Sequence, residues 1–451
     1  MKKQIGVHFY INIVNFNSII TDEEEKTNKV THSIHALDTF FASVEKYGKA
    51  VSKSLVVEKI TGSRLHLYVT DDITDAYDTV KAVSAYAYKL ARYINGDIPK
   101  YKSLKDFYIN VGVAYGRFYE FEFKAKNYDE LTTIGYAANF AAKLQALSGY
   151  NKLSISEDIF ESLPSEEADE YTEIEEETIG KYNQERYYTI ALSNIASGVD
   201  ISEEDMKTAK EYANSDNLGD IDFAGVRVPL NFQTLSKTQC KELEGIPVFA
   251  DVRDFTSQFA EDDSNLEEMA VKTQQILESM YLISTSHGGI HVQFQGDREL
   301  SLYHNIPGQT VNGMYKEEQK CFRSAVLASM RMIDAVKNYN VNIGVGEDFG
   351  RLFATKIGAR GEKDNILLGE TVIQADNMED KKAAKNQIAI TAEVYDGLKE
   401  EDAYLAEQFS KSGQFYIATI GYEQYKRNVS YKQQSTSTSQ KNYNGAWGDL
   451  L

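Results

Sequence analysis

Strand-like and helix-like patterns of apolar residues follow one another along the chain, and the same order of elements occurs twice. In the N-terminal half the pattern predicts a strand near 5–14, a helix near 33–49, a hairpin near 55–69, a helix near 78–95 and a strand near 108–115. The first helix is the clearest of these, because its apolar residues recur at helical spacing: Ile34, Leu37, Phe40, Phe41 and Val44.

The C-terminal half repeats this order. Its pattern predicts a strand near 246–252, a helix near 264–283, a hairpin near 289–304, a helix near 317–337 and a strand near 341–346. A βαββαβ order is typical of a largely antiparallel sheet with helices on one face. The sequence therefore predicts an α+β protein made of two tandem ferredoxin-like domains.

Four pairs of positions support a duplication, since the two members of each pair are separated by a nearly constant number of residues. The pairs are Asn12 with Asp251, Ser63 with Asp297, Gly112 with Gly344, and Gly135 with Gly369. The predicted domains cover 1–195 and 241–430. A polar, acidic linker with one helix is predicted at 196–240, and a disordered tail of low complexity at 431–451.

The composition narrows the possible functions. With 451 residues, 42% of them hydrophobic and 26% charged, the chain is long enough for two globular domains. Its longest apolar stretches are shorter than the roughly 18 residues that span a bilayer, so we expect a cytoplasmic protein with no membrane segment. A net charge of −20 opposes binding to nucleic acid and anionic lipid. Small molecules are the favoured partners.

Two short segments of the second copy carry candidate chemistry. Residues 249–256 read Phe-Ala-Asp-Val-Arg-Asp-Phe-Thr, and residues 295–298 read Gln-Gly-Asp-Arg. At the positions of Asp251 and Asp297 the first copy has Asn12 and Ser63. A hard divalent cation prefers carboxylate oxygen, and an amide and a hydroxyl are weak replacements. We therefore expect metal binding in the second copy only.

These segments resemble the class III nucleotide cyclases, and the similarity extends over roughly 5–192 and 244–422. In that family two cyclase domains pair head to tail, and each site takes two metal-binding aspartates from one domain and transition-state residues from the other. The resemblance implies that Asp251 and Asp297 bind two divalent cations, Mn²⁺ or Mg²⁺. The carbonyl of Val252 is a further expected ligand.

The family's transition-state asparagine and arginine lie four residues apart on a helix. Here the matching positions are Asn139 and Lys143 in the first copy, and Ile373 and Asn377 in the second. The i, i+4 spacing puts Asn139 and Lys143 on one helix face, although lysine offers a point charge where arginine offers a bidentate fork. The losses in the two copies are complementary, so the resemblance implies one complete site in an intramolecular pseudo-heterodimer.

Further roles follow from the same resemblance. Backbone N–H groups at Asp254, Phe255 and Thr256 are expected to bind phosphate oxygens, and Lys181 is expected to offset phosphate charge. The positions that read the base are Lys59 and Thr132. A lysine only donates and a threonine hydroxyl can accept, which suits the ring nitrogen and exocyclic amine of cytosine or adenine.

The divergent base-reading pair and the Gln-Gly-Asp-Arg hairpin resemble the bacterial pyrimidine cyclases of antiphage signalling. This implies conversion of CTP to 3′,5′-cyclic CMP and pyrophosphate, with the product activating a separate effector protein. The alternatives are a uridylate cyclase, an adenylate cyclase and an inactive nucleotide-binding pseudo-cyclase. A diguanylate cyclase is disfavoured, because Gly288 and Gly289 are followed by Ile290 and not by the acidic residue of that family's signature.

Overall fold

The structure is a computed structural model of the chain. It describes residues 2–27, 29–125, 128–175, 186–214, 228–235, 239–253, 266–311, 314–358 and 364–430. The predicted tail at 431–451 lies outside these ranges. Among the described residues, every helix is too short or too polar to cross a membrane.

The first domain consists of eight strands and the helices that cover them within the described ranges. Its strands are β1 Lys2–Ile13, β2 Leu55–Thr61, β3 Arg64–Val69, β4 Ile109–Ala125, β5 Tyr128–Gly135, β6 Lys152–Ile155, β7 Thr172–Glu175 and β8 Arg186–Ala191. Its helices are α1 Phe16–Thr27, α2 Thr31–Val51, α3 Ile73–Asp97, α4 Tyr136–Leu147, α5 Glu157–Glu161, α6 Ser165–Ala168, α7 Leu192–Gly198 and α8 Glu203–Asn214, with a 3₁₀ turn at Pro99–Tyr101.

The second domain repeats this sequence of elements. Its strands are β9 Lys241–Arg253, β10 Ile290–Gln295, β11 Arg298–His304, β12 Gln309–Val311, β13 Met314–Lys316, β14 Asn342–Glu347, β15 Gly350–Ile357, β16 Asp364–Leu368, β17 Gln387–Thr391, β18 Ser410–Ser412 and β19 Phe415–Ala418. Its helices are α9 Leu266–Ser286, α10 Phe322–Val336, α11 Glu370–Lys381, α12 Ala392–Glu401 and α13 Ala403–Ala406, with a 3₁₀ turn at Lys337–Tyr339.

The two large sheets have the same strand order along their main paths. It is β2-β3-β1-β4-β6-β8-β7 in the first, where β5 pairs with β4 off the path, and β10-β11-β9-β14-β17-β19-β18 in the second, where the β15–β16 hairpin lies off the path. The predicted α+β fold with two tandem domains is therefore confirmed. The pattern did not predict α1, which lies between the first strand and the first predicted helix.

Alternation along the central strands separates the core from the cleft face. In β1 every second residue from Val7 to Ile13 is buried against the helices of the first domain. The intervening Tyr10 and Asn12 face a cleft between the domains. In β9 the same alternation places Ala250 and Val252 in the second core, with Asp251 on the cleft face.

Contacts between the sheets and their helices correct one of the predicted pairs of matching positions. A Cβ on Gly112 would meet the backbone of Ala141 and Gln145 in α4, and a Cβ on Gly346 would meet the backbone of Ala375 and Glu379 in α11. Gly346, and not Gly344, is therefore the counterpart of Gly112. Both glycines allow a helix to approach the sheet closely, a contact that any side chain would prevent.

Each domain extends one hairpin into the core of the other. From the β4–β5 hairpin, Tyr119, Phe121 and Phe123 pack among the apolar residues of the second domain. From the β15–β16 hairpin, Phe353 and Ile366 pack among those of the first. Because each core contains side chains from both halves, the halves form one interlocked unit, as the predicted pseudo-heterodimer requires.

The described parts of the segment between the domains pack against both of them. Within the predicted linker 196–240, α8 buries Ala209 and Ala213 in the core of the first domain. Leu230 and Phe232 pack against the sheet of the second domain. The exact boundaries, with a linker at 196–240, stay a prediction.

Candidate active site

A cleft of about 760 Å³ lies between the two sheets and is lined by both domains. The second domain contributes the two aspartates singled out in the sequence, Asp251 and Asp297. The first contributes Asn139, Lys143 and Lys59. Five of the predicted site residues, from both halves of the chain, therefore meet in one cavity.

The two aspartates reach the cleft from adjacent strands. Asp251 is near the end of β9, directly opposite Arg298 of β11 in the antiparallel register. Asp297 precedes Arg298, in the tight turn between β10 and β11. Gly296 adopts a φ of +71° there, a conformation that glycine reaches without steric cost. This turn places both carboxylates at the same corner of the sheet.

Charged neighbours surround Asp251. Arg253 donates to the Asp251 carboxylate over 3.1 Å and to the backbone carbonyls of Glu379 and Ala383. Arg298 forms ion pairs with Asp376, at 2.6 Å, and with Glu379. Burial raises the pKa of Glu379 to about 7, against the effect of Arg298.

This set of donors fits a divalent cation. Four acidic side chains meet Arg253 and Arg298 at this corner, namely Asp251, Asp297, Asp376 and Glu379, and Arg64 lines the same cleft. Carboxylate oxygens are the preferred ligands of Mg²⁺ and Mn²⁺. The residues present are thus able to hold the metal that the sequence predicts.

Asn139 and Lys143 reach the cleft from α4, which begins after Gly135. Asn139 lies across the interface from the turn that carries Asp297, since its Oδ1 atom is 3.5 Å from the position a Cβ on Gly296 would occupy. The sequence predicted this meeting of the two halves. The helical spacing of four residues places Lys143 on the same lining face.

The matching corner of the first domain has no carboxylate pair. Asn12 and Ser63 face each other there, and the Ser63 hydroxyl donates to Asn12 Oδ1 over 2.9 Å. A neighbouring crevice of about 150 Å³ is lined by both polar and apolar side chains, among them Val372, Ile373 and Asp376. The counterparts of the two aspartates in this corner, Asn12 and Ser63, are neutral.

The predicted base-reading residues are neighbours and both are buried, but they differ in whether they line the cleft. Lys59 lines the cleft, whereas Thr132 is fully buried behind it. The Lys59 ammonium donates to Glu130 Oε1 at 2.6 Å, to the Phe294 carbonyl at 2.8 Å and to Thr132 Oγ1 at 3.2 Å. Burial disfavours the charged form, but Glu130 and Glu58 raise the pKa of Lys59.

A buried polar network across the interface was not predicted. His291 lies between Glu299, at 2.9 Å, and Glu130, at 3.3 Å, and Glu130 also accepts from the backbone N–H of Phe294. It could not be predicted from the sequence, because periodicity does not reveal which residues meet between two domains. The network holds Glu130, and through it Lys59, in a fixed position.

This network makes stability depend on pH. Burial opposes the charged form of His291, but the two carboxylates raise its pKa to about 9. Relative to an unfolded pKa of about 6.5, the stabilisation is complete below pH 6.5 and is lost as the pH rises through 9. Denaturant unfolding between pH 6 and 10 should show this loss, with a flatter profile for His291→Gln than for the control His287→Gln. Parallel profiles for the two variants would contradict the assignment.

Four predicted phosphate-binding residues, Lys181, Asp254, Phe255 and Thr256, lie outside the described residues. Val252 is described, and its side chain is buried in the second core. The role of its carbonyl as a metal ligand stays a prediction.

Comparison with known proteins agrees with this geometry. Residues 241–426 match the family of the adenylate and guanylate cyclase catalytic domain. A uridylate cyclase from Pseudomonas aeruginosa is 21% identical over 401 residues, covering 82% of this chain and 74% of that protein. A crystal structure of a class III adenylyl cyclase-like ATP-binding protein from the same organism superposes with a TM-score of 0.72 and 16% identity, covering 95% of this chain and 90% of that one.

Proposed function

We propose that this chain, whose second half is a class III cyclase domain, converts a pyrimidine ribonucleoside triphosphate, preferably CTP, into a 3′,5′-cyclic nucleotide and pyrophosphate. One observation carries the proposal. Asp251 and Asp297 of the second domain share a cleft with Asn139 and Lys143 of the first. A cyclase site requires both sets of residues, and neither domain has both.

The chemistry is an in-line displacement on the α-phosphorus. The ribose 3′-oxygen forms the new bond to phosphorus, the bond to the β-phosphate oxygen breaks, and the 3′-hydroxyl proton passes to solvent. Divalent metal held by Asp251 and Asp297 would favour loss of that proton and neutralise the triphosphate. Manganese or magnesium suits these oxygen ligands, and we propose two ions.

The first domain supplies the groups that act on the transition state. From one face of α4, Asn139 can orient the ribose by hydrogen bonding, and Lys143 can offset charge developing on the phosphoryl group. Lys181 and the backbone of Asp254, Phe255 and Thr256 are proposed to hold the remaining phosphate oxygens. Since lysine replaces arginine at 143, we expect modest turnover.

Charge at the far end of the cleft supports cytosine as the base. Lys59 there lies between two buried carboxylates, with its Nζ 2.6 Å from Glu130 and 3.8 Å from Glu58. The burial of Glu58 is opposed by the adjoining His66 and Lys59, and the pKa of Glu58 is lowered to about 2. Glu58 also lines the cleft, and a carboxylate acceptor beside Lys59 favours the exocyclic amine of cytosine over the O4 oxygen of uracil.

Uridine is the second candidate, and a specific finding favours it. A relative with 21% identity is described as a uridylate cyclase. A lysine donor and a threonine acceptor also match the adjacent O4 and N3–H of uracil, so hydrogen-bonding pattern alone does not separate the two pyrimidines. An adenylate cyclase and an inactive nucleotide-binding protein are the remaining alternatives.

The cyclic product would act away from this protein. A cyclic nucleotide diffuses freely and is recognised by other proteins, so we propose that it is a second messenger in antiphage defence and activates a separate effector. The substrate triphosphate is then the only ligand this chain needs for its reaction, apart from metal.

Competition among nucleotides tests the proposed function. The full chain, given equimolar CTP, UTP, ATP and GTP with Mn²⁺, should form mainly cyclic CMP and pyrophosphate, identified by mass spectrometry. Mainly cyclic UMP would contradict the choice of base and keep the pyrimidine assignment. Cyclic AMP as the main product would contradict both, and absence of any cyclic product would favour the inactive alternative.

Thr132→Val tests the base-reading pair. Valine has nearly the same shape as threonine but lacks the hydroxyl, so the base-reading pair loses its acceptor and Lys59 loses its 3.2 Å bond to Thr132. The bonds of Lys59 to Glu130 and Phe294 remain. Preference for CTP over UTP should fall by about 10-fold to 100-fold. An unchanged ratio of cyclic products would exclude Thr132 from base recognition.

A further inference from the structure

Arg253 is the last residue of β9 and lies two residues after Asp251, on the same face of the strand. Its guanidinium donates through Nη1 to Asp251 Oδ2 over 3.1 Å. Through Nη2 it donates to the backbone carbonyls of Glu379 and Ala383, at the C-terminal end of α11, and it forms an ion pair with the Glu379 carboxylate. These contacts with the end of α11 hold the guanidinium in place independently of Asp251.

The position of this guanidinium depends on Gly344 of β14. Gly344 lies directly opposite Asp251 in the antiparallel register. A Cβ on Gly344 would come within 2.1 to 2.5 Å of three guanidinium atoms of Arg253. Carbon atoms that are not bonded pack at about 3.5–4.0 Å, so only glycine leaves room for Arg253 in this place.

The first copy has a different arrangement at the matching place. Asn12, the counterpart of Asp251, lies opposite Asn110 in the register of β1 and β4, and Val14 follows it two residues later. The side chain of valine has no donor. Asn110 instead donates to two backbone carbonyls at the C-terminal end of α4, over 2.7 and 2.9 Å. The copy without metal-binding carboxylates thus caps its helix with an amide, and the copy that has them uses an arginine that also reaches the carboxylate.

We propose that Arg253 is a positioning residue for the catalytic metal site: lying over Gly344 and bonded to the end of α11, it holds the Asp251 carboxylate in the orientation that binds a divalent cation. The inference rests on the proposed function, which assigns metal binding to Asp251. Outer groups that orient a ligating carboxylate are typical of metal sites, and their loss lowers metal affinity or activity by about 10-fold to 100-fold.

Orientation and charge have opposite effects at Asp251. A guanidinium repels a divalent cation, so a purely electrostatic role would weaken metal binding while Arg253 is present. The ion pair with Glu379 offsets this repulsion, which leaves orientation as the larger effect. The two roles therefore predict opposite changes in metal affinity when Arg253 is removed.

Mn²⁺ binding by the full chain without nucleotide tests the inference, with the EPR signal of the free ion as the readout. Arg253→Val introduces the residue of the first copy and should raise the Kd for Mn²⁺ by about 10-fold to 100-fold. Gly344→Ala keeps Arg253 but displaces its guanidinium, and should also raise the Kd. Added to Arg253→Val, Gly344→Ala should raise the Kd no further, because both substitutions remove the same interaction.

A second double variant separates positioning from folding. Arg253→Val/Gly344→Asn reproduces the first copy, so the new amide can cap α11 as Asn110 caps α4. It should regain part of the melting temperature lost in Arg253→Val and keep the weakened Mn²⁺ binding. Arg323→Val, which removes an exposed arginine of the same domain, should bind Mn²⁺ as the wild type does.

Tighter or unchanged Mn²⁺ binding in folded Arg253→Val would overturn the inference, as would full recovery of Mn²⁺ affinity in Arg253→Val/Gly344→Asn. If Arg253→Val does not fold, unchanged binding in Gly344→Ala overturns it. Wild-type binding that Asp251→Asn does not weaken also overturns it, since Asp251 would not be a ligand. Weakened Mn²⁺ binding in Arg253→Val, from a wild type that forms no cyclic nucleotide, would support the positioning role and contradict the proposed function.

Discussion

Asp251→Asn and Asp297→Asn should each abolish formation of the cyclic nucleotide. Each substitution exchanges a carboxylate for a neutral amide in the cleft, and a hard divalent cation binds amide oxygen poorly. The loss should exceed 100-fold, because the nucleophile and the triphosphate would both lack their metal. Product formation with Mn²⁺, measured by chromatography under saturating nucleotide, provides the test.

The aspartate variants need controls for folding and for general charge effects. Asp396→Asn removes an exposed carboxylate on α12 and should leave the rate unchanged. Melting temperatures of Asp251→Asn and Asp297→Asn should stay near that of the wild type, since no apolar contact is lost. More than a few per cent residual activity in either folded variant would show that the metal is held elsewhere.

Asn139→Ala should lower the rate by about 10²-fold to 10³-fold, the effect of removing one oriented donor from a transition state. The loss should appear in kcat, with KM changed little, because the proposed role is confined to the transition state. Steady-state kinetics with the preferred nucleotide separate the two parameters. A rise in KM at unchanged kcat would reassign Asn139 to ground-state binding.

The sequence predicted the main elements of both domains because each strand and helix has one buried face, which leaves a periodic pattern. It also predicted the cleft residues Asp251 and Asp297 from motifs whose matching positions differ between the copies, and Asn139 and Lys143 from the resemblance to the class III nucleotide cyclases. The structure places all four together. Complementary loss between two copies is thus informative about contacts that periodicity does not reveal.

Contacts between segments that are far apart in the chain could not be predicted from the sequence. The pairing of Gly112 was wrong by two residues, because two glycines of β14, Gly344 and Gly346, differ only in which one meets a helix. The partners of Lys59 were incomplete for a similar reason. Glu130 is 71 residues away in the chain, and its proximity depends on how β5 packs beside β2.

The proposal that the catalytic site is complete within one chain leads to a test by mixing. Asp251→Asn lacks the metal site and Asn139→Ala lacks the transition-state donor, and each variant keeps the residue that the other has lost. In an interlocked single chain, the intact halves are on different molecules and do not meet.

Cyclase activity of an equimolar mixture of purified Asp251→Asn and Asn139→Ala, against each variant alone and the wild type, is the most direct measurement. We predict that the mixture has the average of the two separate activities. Recovery of a substantial fraction of wild-type activity on mixing would contradict this, because it would require a site formed between two chains.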